Sequence, residues 1–171
     1  VLNGNLHTMN WDDFQSTSYI YDLLTVAFVQ NVGQATITGL ELESYFNISD
    51  TFSASLMLAL TDPEFKEDIY DLQGELSTPK GNQLAYVPTE QFVMSMNKDF
   101  VIRNRDAYVS YDHSYTGESY QSSANTDTNA SYSLANLRFG VNPSSKASSQ
   151  ADDIFGFLKH SSVEVYLENV H

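Results

Sequence analysis

Apolar residues recur at every second position in this chain, in blocks of roughly ten residues, from one end to the other. A helix needs a period of about 3.6, and no stretch of useful length supplies it. The chain is therefore expected to be all-β. Residues 51–61 carry the cleanest pattern: Phe52, Ala54, Leu56, Leu58 and Leu60 share one face, and Ser53, Ser55, Met57 and Ala59 the other. About seven such blocks can be read, near residues 2–14, 24–48, 51–61, 88–100, 106–116, 131–142 and 162–170. The second is long enough to be one long strand, or a strand with a bulge at Gly33.

The connections alternate in kind. Residues 47–51 and 100–106 are short polar turns, whereas residues 14–23, 62–89 and 117–130 are long and rich in Asp, Glu, Ser, Thr, Asn and Tyr. Residues 142–161 break the rule: a short turn is due there, and a long Ser/Ala/Gln-rich stretch stands in its place, followed by Ile154-Phe155-Gly156-Phe157-Leu158. Compact soluble domains seldom carry several long structureless loops, but a transmembrane barrel has short turns on one rim and long loops on the other.

One-sided strands can hide their apolar face in two ways. In a soluble sandwich it packs on a second sheet; in an outer-membrane barrel it faces lipid, and the polar face lines the lumen. Three features favour the barrel. The blocks are longer than the five to six residues or so of a common globular strand. Glu41, Glu43, Arg138, Glu164 and Glu168 sit mid-block on the polar face, as a lumen would have them. Aromatics gather near block ends (Trp11, Phe14, Tyr45, Phe46, Phe52, Phe100, Tyr115, Tyr132), where an interfacial girdle belongs.

Charge and composition remove other classes. Lys+Arg is 8 and Asp+Glu 22, a net charge of -14, so there is no basic face for nucleic acid or for an anionic membrane surface. Cys is 0, which excludes disulfides, thiol nucleophiles and Cys-ligated metals. No apolar run approaches the length of a membrane-spanning helix. Val1 is not an initiator methionine, no leader pattern follows it, and the last block runs to the end of the chain. The chain is expected to be a piece of a longer one.

Candidate chemical groups are sparse. Asp62, Glu64, Glu67, Asp68, Asp71 and Glu75 form an acidic run that could offer oxygens to Ca²⁺, but EF-hand spacing is absent and a solvated acidic loop is the expectation. Glu41 and Glu43 point to one face of a strand, where paired carboxylates could do acid–base work or simply line a lumen. His7, His113, His160 and His171 show no metal-ligand spacing, and no nucleophile-elbow, P-loop or dinucleotide motif occurs. No catalytic residue, cofactor or metal is expected, and the chain is not expected to be an enzyme. Tyr70, Tyr86, Tyr115 and Tyr120 could contact a ligand or anchor loops at a membrane interface, so no ligand-binding residue is singled out.

Five segments resemble one family in order along the chain. Met9-Asn10-Trp11-Asp12-Asp13-Phe14-Gln15 resembles the "Y-x-D-W-x-D-x-Q" strand end of TonB-dependent outer-membrane receptors. Residues 31–43, with Asn31, Gly33, Ala35, Gly39, Glu41 and Glu43, are similar to that family's "N-x-G-x-A-x-x-x-G-x-E-x-E" segment. Gly81-Asn82-Gln83-Leu84-Ala85-Tyr86-Val87-Pro88 is similar to its "G-x-x-L-x-x-V-P" lead-in to a strand. Tyr132-Ser133-Leu134-Ala135-Asn136-Leu137-Arg138-Phe139-Gly140 resembles "Y-x-L-x-N-L-R-x-G", and Val165-Tyr166-Leu167-Glu168-Asn169-Val170 resembles "L-Y-V-x-N-L".

The resemblance implies an antiparallel transmembrane β-barrel segment of about seven long strands, a meander, incomplete because the family closes about 22 strands around a plug. Residues 1–171 would be part of a single barrel domain, with the plug and final strands absent. It further implies a Gram-negative outer membrane and uptake of a scarce ligand such as an iron–siderophore complex, cobalamin or an oligosaccharide. The partners would be the lipid bilayer and the TonB complex, reached through the missing plug, with no nucleic acid. Two alternatives remain at this point: a secreted or surface β-sandwich that binds glycans through its loops, and a porin-like or adhesin barrel without a plug.

Overall fold

The computed structural model describes residues 1–20, 26–31, 33–71, 74–103, 105–142 and 162–169. Its strands are β1 (Leu2–Trp11), β2 (Gln15–Ile20), β3 (Val26–Asn31), β4 (Ala35–Ser49), β5 (Phe52–Phe65), β6 (Ile69–Tyr70), β7 (Leu76–Thr78), β8 (Glu90–Ile102), β9 (Arg105–Thr116), β10 (Ser119–Tyr120), β11 (Thr128–Asn129), β12 (Tyr132–Val141) and β13 (Val163–Glu168). There is no helix among the described residues.

The long strands form one seven-stranded antiparallel sheet in the order β1-β4-β5-β8-β9-β12-β13. This is the expected meander. Its two edges, β1 and β13, do not pair with each other, so the barrel is not closed.

Directly opposed residues in an antiparallel pair share a face, so the register carries each face across the sheet. One row reads Gly4–Leu42–Leu58–Phe92–Tyr115–Ser133, and another Phe46–Ala54–Met96–Tyr111–Leu137–Leu167. Displaced by one residue, the opposite face carries Asn5–Glu41–Ala59–Gln91 and Asn97–Ser110–Arg138–Tyr166. The apolar face is continuous, and among the described residues no second sheet lies over it: Leu42, Leu56, Leu60, Leu137 and Phe139 stay exposed, and the other three sheets are two-stranded hairpins. That finding removes the sandwich, which would have sealed this face against a second sheet.

Two polar side chains on the apolar face have neighbours that receive them. The Ser44 hydroxyl donates to the Leu56 carbonyl at 3.4 Å. His113 packs its ring edge-on to Phe92 at 6.0 Å, with Tyr111 alongside at 6.3 Å.

Several expected boundaries move. The block at residues 24–48 is neither one strand nor a bulged strand. It divides into β3 and β4, and Gly33, at φ +112°, takes the left-handed conformation between them. The Gly33 carbonyl accepts the Phe14 amide at 2.9 Å and closes the base of the β2–β3 hairpin. β1 stops at Trp11 rather than reaching Phe14, with Asp13 at φ 55° turning the chain. β5 runs on to Phe65, taking Asp62, Pro63 and Glu64 out of the expected acidic loop. β8 begins after Pro88, which has no amide proton for the ladder.

The long connections are not structureless either: each carries a hairpin, β2–β3, β6–β7 or β10–β11. The turn at residues 50–51 and Arg103, which follows β8, lie at the opposite end of the sheet. The expected long connection at residues 142–161 falls on residues 143–161, outside the described residues, as do Ile154-Phe155-Gly156-Phe157-Leu158, His160 and His171.

The aromatic girdle is only partly as expected. Phe46, Phe52, Phe100 and Tyr115 share the apolar face, and Phe100 and Phe139 pack at 6.2 Å across the buried Ala107 of β9. Trp11, Tyr45 and Tyr132 have the opposite parity and lie on the polar face. Phe14 belongs to neither face. Proximity to a strand end does not set which way a side chain points; the period of two does.

Candidate functional site

Two regions gather polar chemistry. The first is the polar face of the sheet. Asn5 donates its Nδ2 to Glu41 Oε2 at 3.2 Å, Ser95 Oγ donates to Asp112 Oδ1 at 2.6 Å, and Arg138 Nε meets Glu164 Oε1 at 3.0 Å. Glu41 and Glu43 share this face, as expected, beside a depression of about 380 Å³ whose lining includes Asn3, Asn5, Met57 and Gln91. The cross-strand partners of Glu43 are Asn3 and Met57, and those of Glu41 are Asn5 and Ala59. Neither carboxylate faces a nucleophile, so the geometry is that of a polar wall.

Two glycines on this face leave room for a ring. A Cβ at Gly39 would run into the His7 imidazole, and one at Gly140 into the Tyr108 ring. In each pair a flat side chain lies across the bare backbone of its partner strand, which recovers packing that glycine alone forfeits.

The second region is the end of the sheet that bears the three hairpins. It holds the buried apolar cluster of the described residues: Ala35, Phe65, Ile69 and Leu84, with Phe14, Ile37 and Val87 against it. Trp11 stacks on Phe14 at 5.5 Å, and Phe14 meets Phe65 edge-on at 5.7 Å. Backbone bonds tie the connections together: Lys66 N to Gln34 O at 2.8 Å, Phe65 N to Asn82 O at 2.9 Å, Leu84 N to Pro63 O at 3.0 Å, and Tyr86 N to Tyr120 O at 2.8 Å.

Two asparagines complete the lock. Asn125 accepts the Gln83 amide at 2.7 Å and donates to the Gln83 carbonyl at 2.9 Å, so its side chain pairs with both backbone groups of one residue. Asn82 donates to the Ser123 carbonyl at 2.8 Å. The sequence reading missed both residues. Their only local signal was Asn in a turn-rich stretch, where Asn125 sits at φ 55°.

The acidic run is dispersed among separate tasks. Glu64 pairs with Lys66. Asp68 accepts the Lys80 amide at 2.7 Å, and Asp71 accepts the Glu75 amide at 2.8 Å. No group of three or more potential metal ligands exists among the described residues. Of the four tyrosines singled out, Tyr115 donates to Glu90 Oε1 at 3.1 Å, the Tyr120 carbonyl holds the Tyr86 amide, and Tyr70 and Tyr86 are exposed.

The sequence profile described as "TonB dependent receptor-like, beta-barrel" matches residues 4–170. The chain belongs to the TonB-dependent receptor β-barrel family. No curated protein matches it in sequence. The family is one of outer-membrane receptors and transporters rather than enzymes.

Membership accounts for the segments quoted above. The receptor strand-end motif closes β1 and seats Trp11 and Phe14 at the loop core. The "N-x-G…E-x-E" segment spans Gly33 and the polar face of β4, and the "V-P" lead-in delivers Leu84 and Val87 to the core just before β8.

Proposed function

We propose that residues 1–171 are part of a single barrel domain of a TonB-dependent receptor in the outer membrane of a Gram-negative bacterium, supplying barrel wall and part of the outer vestibule. The remaining strands would continue from the open edges of β1 and β13, and a plug would fill the lumen against the polar face. The bilayer covers the apolar face, the hairpin-bearing end faces outward, and the TonB complex acts on the plug. The cargo is a scarce small molecule, an iron–siderophore complex, cobalamin or an oligosaccharide, bound and passed without covalent change. One observation carries the reading: among the described residues, an apolar face that no second sheet covers stands opposite a polar face with mid-strand charges across all seven strands.

These 171 residues contain no cysteine, so one introduced here is their sole thiol, and any cysteine elsewhere in the parent is first replaced by serine. Single cysteines at residues 56, 57 and 58 of the full-length parent, in lipid vesicles, are labelled with a membrane-soluble and with a water-soluble maleimide. Leu56→Cys and Leu58→Cys should react with the membrane-soluble reagent, and Met57→Cys with the water-soluble one. Equal labelling of all three, or a parent that stays monomeric and folded in buffer without detergent, would overturn the receptor reading.

A further inference from the structure

The net charge of -14 conceals a separation of signs along the apolar face. Among the described strands, the carboxylates with that parity, Asp62, Glu64 and Glu90, stand at the hairpin-bearing end. The cations, Lys98 and Arg105, stand toward the turn end. Lys98 lies in the row Ser49–Phe52–Lys98–Val109–Phe139–Val165, opposite Phe52, the residue of β5 nearest the turn. A charge set among such residues must reach the edge of the apolar surface or be paired.

Lys98 does the first. Its Nζ donates to Thr51 Oγ1 at 2.6 Å, in the turn between β4 and β5, and among the described residues no carboxylate pairs with it. An ammonium has three protons to donate, and Thr51 takes one. Thr51 Oγ1 lies 3.5 Å from Ser49 Oγ, which also accepts the Thr51 amide at 3.3 Å. One hydroxyl proton is enough to join the two oxygens, so the other remains to be donated elsewhere. The backbone fixes this corner. Asp99 N donates to Thr51 O at 2.8 Å and fastens the turn to β8, and β8 and β9 continue past it as Phe100–Ala107, Val101–Asp106 and Ile102–Arg105.

These donors select an anion with several oxygens, held where apolar surface meets water. Of the acids at this end, Asp99 and Asp106 have the opposite parity and lie on the polar face, and Asp50 stands in the turn. Arg105 adds a second positive charge on the apolar face. A phospholipid matches both halves of the corner. Its phosphate accepts from ammonium and hydroxyl groups, and its chains lie along the neighbouring Phe52, Met96 and Val109.

We propose that Lys98, Thr51 and Ser49 bind the phosphate of an anionic phospholipid in the inner leaflet. This rests on the receptor reading given above, which puts lipid on this face and the turns inward, and it goes further by naming a lipid site.

The full-length parent in detergent is mixed with equal amounts of phosphatidylglycerol and phosphatidylcholine carrying the same acyl chains, and native mass spectrometry counts the lipid bound. Phosphatidylglycerol should be favoured about fivefold or more. Lys98→Gln should remove about fivefold of that preference, and Lys98→Arg should keep it. Thr51→Val, which leaves the charge in place, should lower it about twofold or more. Lys80→Gln, at the hairpin-bearing end, should leave it unchanged. No preference for phosphatidylglycerol in the parent, an unchanged preference in folded Lys98→Gln, or an equal loss in Lys80→Gln overturns the site. If Lys98→Gln does not fold, an unchanged preference in Thr51→Val overturns it instead. The cysteine labelling, run in parallel on the same protein, reports failure of the receptor reading separately.

Discussion

Replacing Leu56 by arginine, beside the same replacement at Met57, tests the assignment of faces most sharply. On the apolar face β5 presents Phe52, Ala54, Leu56, Leu58 and Leu60 before Asp62 ends the run. At a rise of about 3.4 Å per residue, the eight steps from Phe52 to Leu60 span about 27 Å along the strand. A tilt of about 40° reduces this to about 21 Å across the membrane, within an apolar band of about 25 Å. Leu56 is at the centre of that run, about 10 Å from either border by the same arithmetic. Its cross-strand neighbours are Ser44 and Met94, neither of which can pair with a guanidinium.

Leu56→Arg should therefore cost about 2–4 kcal/mol. Met57 faces Glu43 and Val93 on the other side of the sheet. An arginine there gains a cross-strand partner in Glu43, worth about 0.2–1 kcal/mol. The two variants should thus differ by at least about 2–4 kcal/mol, or about 30- to 900-fold in the unfolding equilibrium. Leu58→Arg should fall with Leu56→Arg. The measurement is guanidinium unfolding of the full-length parent in lipid vesicles, followed by tryptophan fluorescence. Equal penalties at Leu56 and Met57 would refute the reasoning, because one residue would then not separate lipid from lumen.

Phe65→Ala removes the largest side chain of the hairpin-end core and should cost about 3–5 kcal/mol. Protease cleavage should rise within residues 66–89 while amide protection in β8 and β9 holds; a matching loss in those strands would show that the core is not a separate unit. Asn125→Gly keeps the left-handed turn but removes both bonds to Gln83, for about 1–3 kcal/mol. Hydrogen exchange at the Gln83 amide should accelerate, and unchanged exchange would argue that Asn125 does not lock the connections together. Gly140→Ala drives a methyl group into the Tyr108 ring and should destabilise by about 1–3 kcal/mol. Adding Tyr108→Ser should recover much of that loss, and strictly additive costs would count against the ring-over-glycine contact.

The seven wall strands and their two faces were legible from the amino-acid sequence because alternation is a property of one strand at a time. Whichever strand pairs with β5, Leu56 and Met57 must point opposite ways. Short turns made the β4–β5 and β8–β9 pairings legible, since neighbours joined by a few residues pair with each other; the rest of the meander order was implied by the family resemblance. The family, too, was readable, because its segments keep their spacing along the chain.

The hairpin-bearing end was not legible. Phe14, Ala35, Phe65 and Leu84 look unrelated in sequence, and only the β1–β4 and β4–β5 registers bring them into one cluster. Asn125 and Gln83 are 42 positions apart, so no local pattern could announce their clamp. Residues 24–48 read as one block because alternation persists across the break at Gly33, and only the pairing of β3 with β2 rather than with β5 divides it. Which way each residue faces was thus set by local stereochemistry. What covers each face, and how the connections fold onto one another, was set by contacts between distant segments, and these exist only once the strands are in register.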